Sequence, residues 1–278
     1  MADYSLINDF INSNSKADII VFFVLLSVIF IIILRLVLYI SIRLSSPSDS
    51  PILIKGMVDA TKMRVIEQDP SVKGAIPIKR SKNEDGIEFT WSTWLNIGST
   101  WTNDPAGSTV GEDKLQHIFH KGNIDTNGNP YPLNGPGLYL SSDNNNLVVI
   151  MNTVNSISGN KITVGNIPRN KWFNVIIRLS DQYTVDVYIN GKLVKRHILD
   201  SIPKQNYGNV YVGLNGGFTG YVSSLRYYSY ALSNIDIVNL LRDGPNLLLL
   251  SGDDSQTYDT GQQYLSLQWF LSSHSSSY

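Results

Sequence analysis

The chain has 278 residues with 22 basic and 23 acidic side chains, which gives a formal charge of −1. This near-neutral balance argues against nucleic acid as a partner, because neutralising phosphates requires clustered Lys and Arg. The chain has no cysteine, which excludes disulfides, thiolate metal sites and cysteine nucleophiles. Only four of the 23 acidic residues are Glu, so 19 are Asp, and with 26 Asn and 21 Gly this composition favours a turn-rich β protein.

A long apolar segment follows a short arm formed by residues 1–18. From Ile19 to Leu34 the only polar residue is Ser27, and after Arg35 the apolar run resumes to Ile42. As a helix these 24 residues would be about 36 Å long, enough to cross a hydrocarbon core of roughly 30 Å. A transmembrane helix is therefore predicted over 19–42. Its membrane-anchor residues are Ile19, Phe22, Leu26, Phe30, Leu34, Arg35 and Ile42.

Two other interpretations of this segment are weaker. A buried helix of a soluble core is disfavoured because the segment is apolar on all sides and leaves no face for solvent. A cleaved signal peptide is disfavoured because the run is long, the flank before it is acidic, and no small-x-small cleavage site follows closely.

The charges that flank the segment predict its orientation. Three Asp and one Lys precede it, whereas five basic residues follow, so the positive-inside rule places the long C-terminal part in the cytoplasm. Arg35 can extend its guanidinium towards the headgroups and need not mark a site inside the membrane. None of the 26 Asn begins an Asn-x-Ser/Thr triplet, which fits a chain that stays away from glycosyltransferases and equally fits selection against unwanted glycosylation in the lumen. The five basic residues are Arg35, Arg43, Lys55, Lys62 and Arg64.

Residues 43–71 are predicted to be a linker and an extended lead-in. Ser45–Pro51 is polar and interrupted by proline, and the short apolar pieces after it indicate one or two strands. A β-sandwich with a short terminal helix is predicted over 72–241. Its clearest strand is Glu88–Ile97, where Phe89, Trp91 and every second residue after them share one face and Trp94 lies on the other.

Further short strands alternate with turns that are rich in Gly, Asn, Asp and Pro. Asn190-Gly191 lies between two alternating apolar runs and predicts a type I′ hairpin, because both central residues need a positive φ. Ser233–Leu241 is predicted to be a helix with Ser233 and Asp236 as a capping box, and 242–278 to be a tail whose apolar patch docks on the sandwich or on a neighbour. The other predicted strands are His117–His120, Gly137–Leu140, Leu147–Asn152, Lys161–Val164, Phe173–Leu179, Thr184–Ile189, Lys192–Ile198, Val210–Leu214 and Tyr221–Tyr228.

Six short segments in this order resemble the laminin-G/concanavalin A-like lectin superfamily. The resemblance covers about residues 86–236 and implies an all-β fold, a concanavalin A-like jelly-roll sandwich preceded here by one transmembrane helix. The segments are Phe89–Trp94, Ile118–Gly122, Pro136–Leu140, Ile167–Trp172, Val187–Lys192 and Phe218–Tyr227.

The lead-in together with the N-terminal helix resembles membrane-anchored lectin-like proteins of large nucleocytoplasmic DNA viruses. The segments that carry this resemblance are Gly56–Ala60, Gln68–Pro70, Ile78–Ser81 and Asn83–Trp91. It implies a minor capsid protein between the shell and the internal membrane of the virion, with other capsid proteins and the lipid bilayer as partners.

Catalytic and metal-binding patterns are weak in this sequence. The nearest approach to the paired-Glu strand of glucanase relatives is Glu67–Val72, which lacks the second Glu and is interrupted by proline. His117 and His120 are three apart in a predicted strand, so they are expected to point to opposite faces. We therefore expect no enzyme activity, no catalytic residues and no metal or cofactor.

A ligand rim is the one site that the sequence suggests. Laminin-G-like domains often carry a rim calcium, and Asn123–Gly128 places oxygen ligands at alternate positions, although its twelfth position is Asn134 rather than Glu. A solvated turn is the simpler interpretation of this loop. Trp94 is the one tryptophan whose position in its strand indicates an outer face, where it can stack a sugar, pack against another strand layer or contact a neighbouring subunit. The candidate rim residues are Trp94, Asp125, Asn127 and Asp143.

Two functions from different classes remain open at this stage. The first is a structural capsid protein anchored in a membrane, with its sandwich binding other proteins. The alternative is a membrane-anchored lectin that binds glycans.

Overall fold

A computed structural model describes residues 16–81, 86–98, 109–110, 113–130, 134–141, 146–156 and 159–250. The described residues belong to two compact units, one with the N-terminal helix and one that begins at Pro47. The predicted arm up to residue 15, Trp101, Asp143 and the tail from residue 251 lie outside the described residues.

Helix α1 spans Lys16–Ser45, and its segment Ile19–Ser41 is long and apolar enough to cross a membrane. Every side chain of that segment is exposed, which distinguishes α1 from the core helix of a soluble domain. The hydroxyl of Ser27 donates to the carbonyl oxygen of Phe23 at 2.8 Å, so this polar side chain is satisfied within the helix. The predicted apolar anchor is therefore present as a single continuous helix.

The second unit is a sandwich of two antiparallel sheets, as predicted. The strands of the first sheet are β1 (Met57–Asp59), β3 (Phe89–Ile97), β9 (Trp172–Ser180), β10 (Thr184–Ile189), β11 (Lys192–Ile198) and β13 (Gly220–Tyr228). Those of the second are β2 (Arg64–Ile66), β4 (Thr109–Val110), β5 (Asp113–Gly122), β6 (Asn134–Ser141), β7 (Leu147–Met151), β8 (Asn160–Val164) and β12 (Asn209–Val212). The first sheet has the order β1-β13-β3-β9-β10-β11, and the second has the order β2-β12-β5-β6-β7-β8 with β4 paired to β5.

The main core lies between the two sheets, because alternating strands place one apolar face inward. Trp91 of β3 is 2% exposed and stacks on Phe119 of β5, with ring centroids 5.3 Å apart. Tyr227 of β13 meets the same tryptophan ring edge-on at 5.1 Å. These three rings join the two sheets near the start of β3.

The predicted hairpin and helix are both present. Asn190 and Gly191 have φ of 48° and 76°, as a type I′ turn requires. Helix α2 spans Asn234–Asp243, and Ser233 and Asp236 form the predicted capping box. The helix packs on the outer face of the first sheet through Ile237 and Leu240.

The lead-in and the residues after α2 complete the first sheet. Leu53 and Ile54 are buried in the main core, and their N–H groups donate to the carbonyl oxygen of Leu225. The chain after α2 then returns to β1, where Met57 donates to the Leu248 carbonyl at 2.7 Å and accepts from the Leu250 N–H at 2.9 Å. The lead-in therefore contributes core residues as well as the two strands β1 and β2.

Candidate functional site

An open cavity of about 430 Å³ lies at one end of the sandwich. Its apolar floor comes from Phe89, Trp91 and Tyr227, whose side chains alternate inward on β3 and β13. Segment 68–81 and loop 205–209 form polar walls around this floor. The cavity thus combines aromatic surface with amides and charged groups, the composition of a small-ligand site.

Lys121 is a buried cation in the wall of this cavity. The residue lies near the end of β5 and is only 7% exposed. Its Nζ donates to the Asn206 carbonyl at 3.3 Å, to the Asn206 Oδ1 at 3.4 Å and to the Gly208 carbonyl. Burial lowers the pKa of Lys121 to about 8, because it penalises the charged form of the amine.

Arg80 and Tyr207 form the rim on the exposed side of the cavity. The guanidinium carbon of Arg80 lies 5.5 Å from the centre of the Tyr207 ring. Its Nε donates to Gln205 Oε1 at 2.6 Å, and one terminal nitrogen donates to the Tyr207 hydroxyl at 3.1 Å. Tyr207 is nevertheless 82% exposed, so much of its ring remains available to a ligand.

Gln68 holds the segment that covers this end of the sandwich. Its Nε2 donates to the Ile76 carbonyl at 3.0 Å, and its Oε1 accepts from the Ile78 N–H at 3.1 Å. The Gln68 N–H donates to Asn209 Oδ1 at 3.0 Å, and Asn209 Nδ2 donates to Glu67 Oε2 at 2.7 Å. These bonds tie the cover to β12 and use the Glu67 carboxylate for structure.

The predicted rim does not assemble into one site. Trp94 lies half-buried on the outer face of the first sheet, where Arg226, Leu240 and Asp243 surround it at the end of α2. Asp125 and Asn127 lie in the loop after β5 of the second sheet instead. Asp143 lies outside the described residues.

The Asp125 carboxylate is satisfied by its own loop. Its Oδ1 accepts from the N–H groups of Asn127 and Asn129, both at 2.8 Å, and the bond from Asn129 is the main cause that lowers the pKa of Asp125. Asn134, the twelfth position of the loop, is buried in β6 and accepts from the Tyr139 hydroxyl. Within the described part of the chain no three His, Asp or Glu side chains form a group that could hold a metal ion.

The expectation that His117 and His120 point to opposite faces was wrong. Ile118 and Phe119 both lie in the main core, and the pairing of β5 with β6 shifts by one residue between His117 and Phe119. Such a bulge interrupts the alternation, so the two imidazoles fall on the same side. Their Nε2 and Nδ1 atoms are 2.7 Å apart, and both residues are fully buried.

Sequence reasoning missed every charged residue of the cavity. Lys121 is the next-to-last residue of β5 and lies just beyond the predicted strand His117–His120. Arg80 and Tyr207 are more than a hundred positions apart, so only the sandwich brings them together. The run Gln205-Asn206-Tyr207, two amides followed by an aromatic residue, was the one local sequence signal for a binding surface at this position.

Comparison with known proteins supports the fold. A family model described as the concanavalin A-like lectin/glucanases superfamily matches residues 72–238, more than half of the chain. The comparison with curated protein sequences gives no match.

Solved structures of botulinum neurotoxin binding domains are similar to part of this chain. The receptor-binding domain of the C/D mosaic serotype has 20% identity and a TM-score of 0.43, over 58% of this chain and 37% of that one. The receptor-binding domain of serotype D has 14% identity and a TM-score of 0.46, over 70% of this chain and 47% of that one. The binding domain of serotype G has 14% identity and a TM-score of 0.45, over 67% of this chain and 46% of that one. This chain therefore spans less than half the length of each of these three structures. The match over residues 72–238, together with the two antiparallel sheets, establishes that the chain belongs to the concanavalin A-like lectin/glucanase superfamily.

Proposed function

We propose that this protein is a membrane-anchored structural protein whose lectin-fold sandwich binds other proteins, and that it serves as a minor capsid protein linking a viral shell to an internal membrane. The observation that carries the anchoring is α1, whose apolar residues Ile19–Ser41 are long enough to span a bilayer and are exposed throughout. The capsid role is supported by the resemblance of the lead-in and anchor to lectin-like proteins of large DNA viruses.

The charges around α1 support an orientation with the sandwich in the cytoplasm. Basic residues follow the helix and acidic residues dominate the flank before it. The absence of Asn-x-Ser/Thr triplets agrees with that side of the membrane. A sandwich in this position would face a shell that assembles around the cytoplasmic surface of a membrane.

A binding role without catalysis fits the chemistry of the described residues. The Glu67 carboxylate is bonded to Asn209, and Asp69 accepts from the Ser71 N–H at 2.9 Å in a local turn. Hydrolysis of a glycosidic bond needs two carboxylates that face each other across the substrate. The described part of the cavity contributes only one carboxylate, that of Asp69.

Cross-linking of intact virus particles tests the capsid role. Lys192 and Lys195 are exposed on β11, which forms one edge of the first sheet, so both amines are available to a lysine-reactive reagent. The proposal predicts cross-links from these lysines to shell proteins in the particle, and their loss when the particle is dissociated before the reaction. Particles that contain the protein but give links only within its own chain would contradict it.

The cavity favours a second candidate, a membrane-anchored lectin. Its volume of about 430 Å³ and its exposed Tyr207 suit a sugar ring, which stacks on aromatic faces. A glycan array probed with the full chain tests this candidate. Saturable binding that Tyr207→Ser removes and Tyr221→Ser keeps would support it, since Tyr221 is an exposed tyrosine of β13 outside the cavity lining. An array without saturable binding would exclude it.

A further inference from the structure

The cavity at the end of the sandwich carries an excess of positive charge. Among the residues that the structure describes, three cations line it, namely Lys79, Arg80 and Lys121, against one carboxylate, Asp69. Lys79 is paired with Asp49 at 2.6 Å, outside the lining. Within the described part of the chain, neither Arg80 nor Lys121 has a carboxylate partner, since their polar contacts are amide, carbonyl and phenol oxygens.

Lys121 is an unusual residue to bury without an anion. Removing an ammonium from water is costly unless a negative charge compensates it, and carbonyl oxygens do so only in part. Burial is the cause of its lowered pKa, and no carboxylate in the described ranges opposes that effect. An anion in the cavity would supply the missing charge to Lys121 and to Arg80 at the rim.

The remainder of the lining suits a hydroxylated ring. Gln205 presents its amide at the rim, and Tyr207 offers an exposed aromatic face next to Arg80. The amides of Asn206 and Asn209 are held in place by Lys121, Gln68 and Glu67. A cavity of about 430 Å³ holds a ligand of one or two sugar units. An inorganic anion would use the two cations but not the amides or the tyrosine ring.

We propose that this cavity binds an acidic sugar of the uronic acid type, whose carboxylate pairs with Arg80 and compensates the buried charge of Lys121 while its ring packs against Tyr207. Arg80 supplies a planar fork of N–H donors that matches a carboxylate. The inference rests on the second candidate function, glycan binding, and adds to it the charge class of the sugar.

Calorimetric titration of the full chain in phosphatidylcholine nanodiscs tests this proposal without a sugar-based detergent. The probes are glucuronate, glucose and inorganic sulfate, because glucuronate and glucose share a ring and differ in the carboxylate. The proposal predicts that glucuronate binds more tightly than glucose and than sulfate. Arg80→Gln should weaken glucuronate binding by about tenfold or more, the loss expected for a charge-assisted hydrogen bond.

Arg242→Gln is the matched control, since Arg242 is an exposed arginine of α2 outside the cavity lining. Lys121→Met is a second variant and should also weaken the binding of glucuronate. Glucose binding as tightly as glucuronate would overturn the acidic selectivity and leave glycan binding intact. Sulfate binding as tightly as glucuronate would overturn the sugar part, and no binding of either sugar would overturn both this inference and the lectin candidate.

Discussion

The Nε2 atom of His117 lies 2.7 Å from the Nδ1 atom of His120 inside the sandwich. The Leu214 N–H donates to His117 Nδ1 at 3.1 Å, which places the His117 proton on Nε2. His117 therefore donates to His120, whose own Nε2–H donates to the Asn123 carbonyl at 3.2 Å. The chain of hydrogen bonds uses two neutral imidazoles and has no place for a further proton.

This pair predicts a loss of stability in mild acid. Burial is the main cause that lowers both pKa values, that of His120 to about 4 and that of His117 well below its ordinary 6.5. Between pH 6.5 and 4 the unfolded chain binds protons that the folded chain does not, so stability falls as the pH decreases. For His120 alone we expect a loss of about 2 kcal/mol from pH 7 to pH 5, measured by chemical unfolding.

The variant His120→Phe should reduce this pH dependence, because phenylalanine keeps the stack on Tyr211 and cannot titrate. His197→Gln is the control, since His197 lies partly exposed on β11. Equal losses of stability in wild type and His120→Phe between pH 7 and pH 5 would contradict the assignment.

Two adjacent glycines predict different costs for the same substitution. Gly216 and Gly217 both have positive φ, 83° and 48°, so alanine is strained at either position. A Cβ on Gly216 meets no atom within 4 Å, whereas one on Gly217 overlaps the backbone carbonyl oxygen of Ala60. Gly216→Ala should destabilise the protein by about 1 kcal/mol and Gly217→Ala by about 2 kcal/mol more. Similar unfolding midpoints for the two variants would show that the contact with Ala60 is unimportant.

Calcium should leave the thermal stability unchanged. The Asp125 carboxylate already accepts backbone N–H groups, and the Asn134 side chain is engaged with Tyr139. Melting temperatures measured in excess calcium and in excess chelator are therefore expected to agree. An increase with calcium that Asp125→Asn abolishes would instead establish the loop as a metal site.

The sequence predicted those parts of the fold that depend on local patterns. Alternation predicted a strand over Glu88–Ile97, which is observed as Phe89–Ile97. The pair Asn190-Gly191 identified the hairpin, and Ser233 with Asp236 identified the start of α2. These features depend on neighbours within a few residues, which is why a single sequence reveals them.

The cavity and the histidine pair depend on longer-range structure. Arg80, Lys121 and Tyr207 meet only after the two sheets have packed, and no local spacing records that proximity. The bulge after His117 shifts the pairing of β5 with β6 by one residue, and this turns the His120 side chain to the same side as His117. A prediction from strict alternation does not include such a shift. Buried polar groups were therefore the least predictable part of the molecule.

Membrane anchoring with a cytoplasmic sandwich is the central claim, and cysteine labelling in sealed vesicles tests it most directly. The chain has no cysteine, so single cysteines can be introduced without background. Thr163→Cys places one on an exposed position of β8, and Ser5→Cys places one before α1. In vesicles with the cytoplasmic face outward, an impermeant maleimide should label Thr163→Cys at once and Ser5→Cys only after detergent is added. Labelling of Ser5→Cys alone, or of both before detergent, would contradict the account.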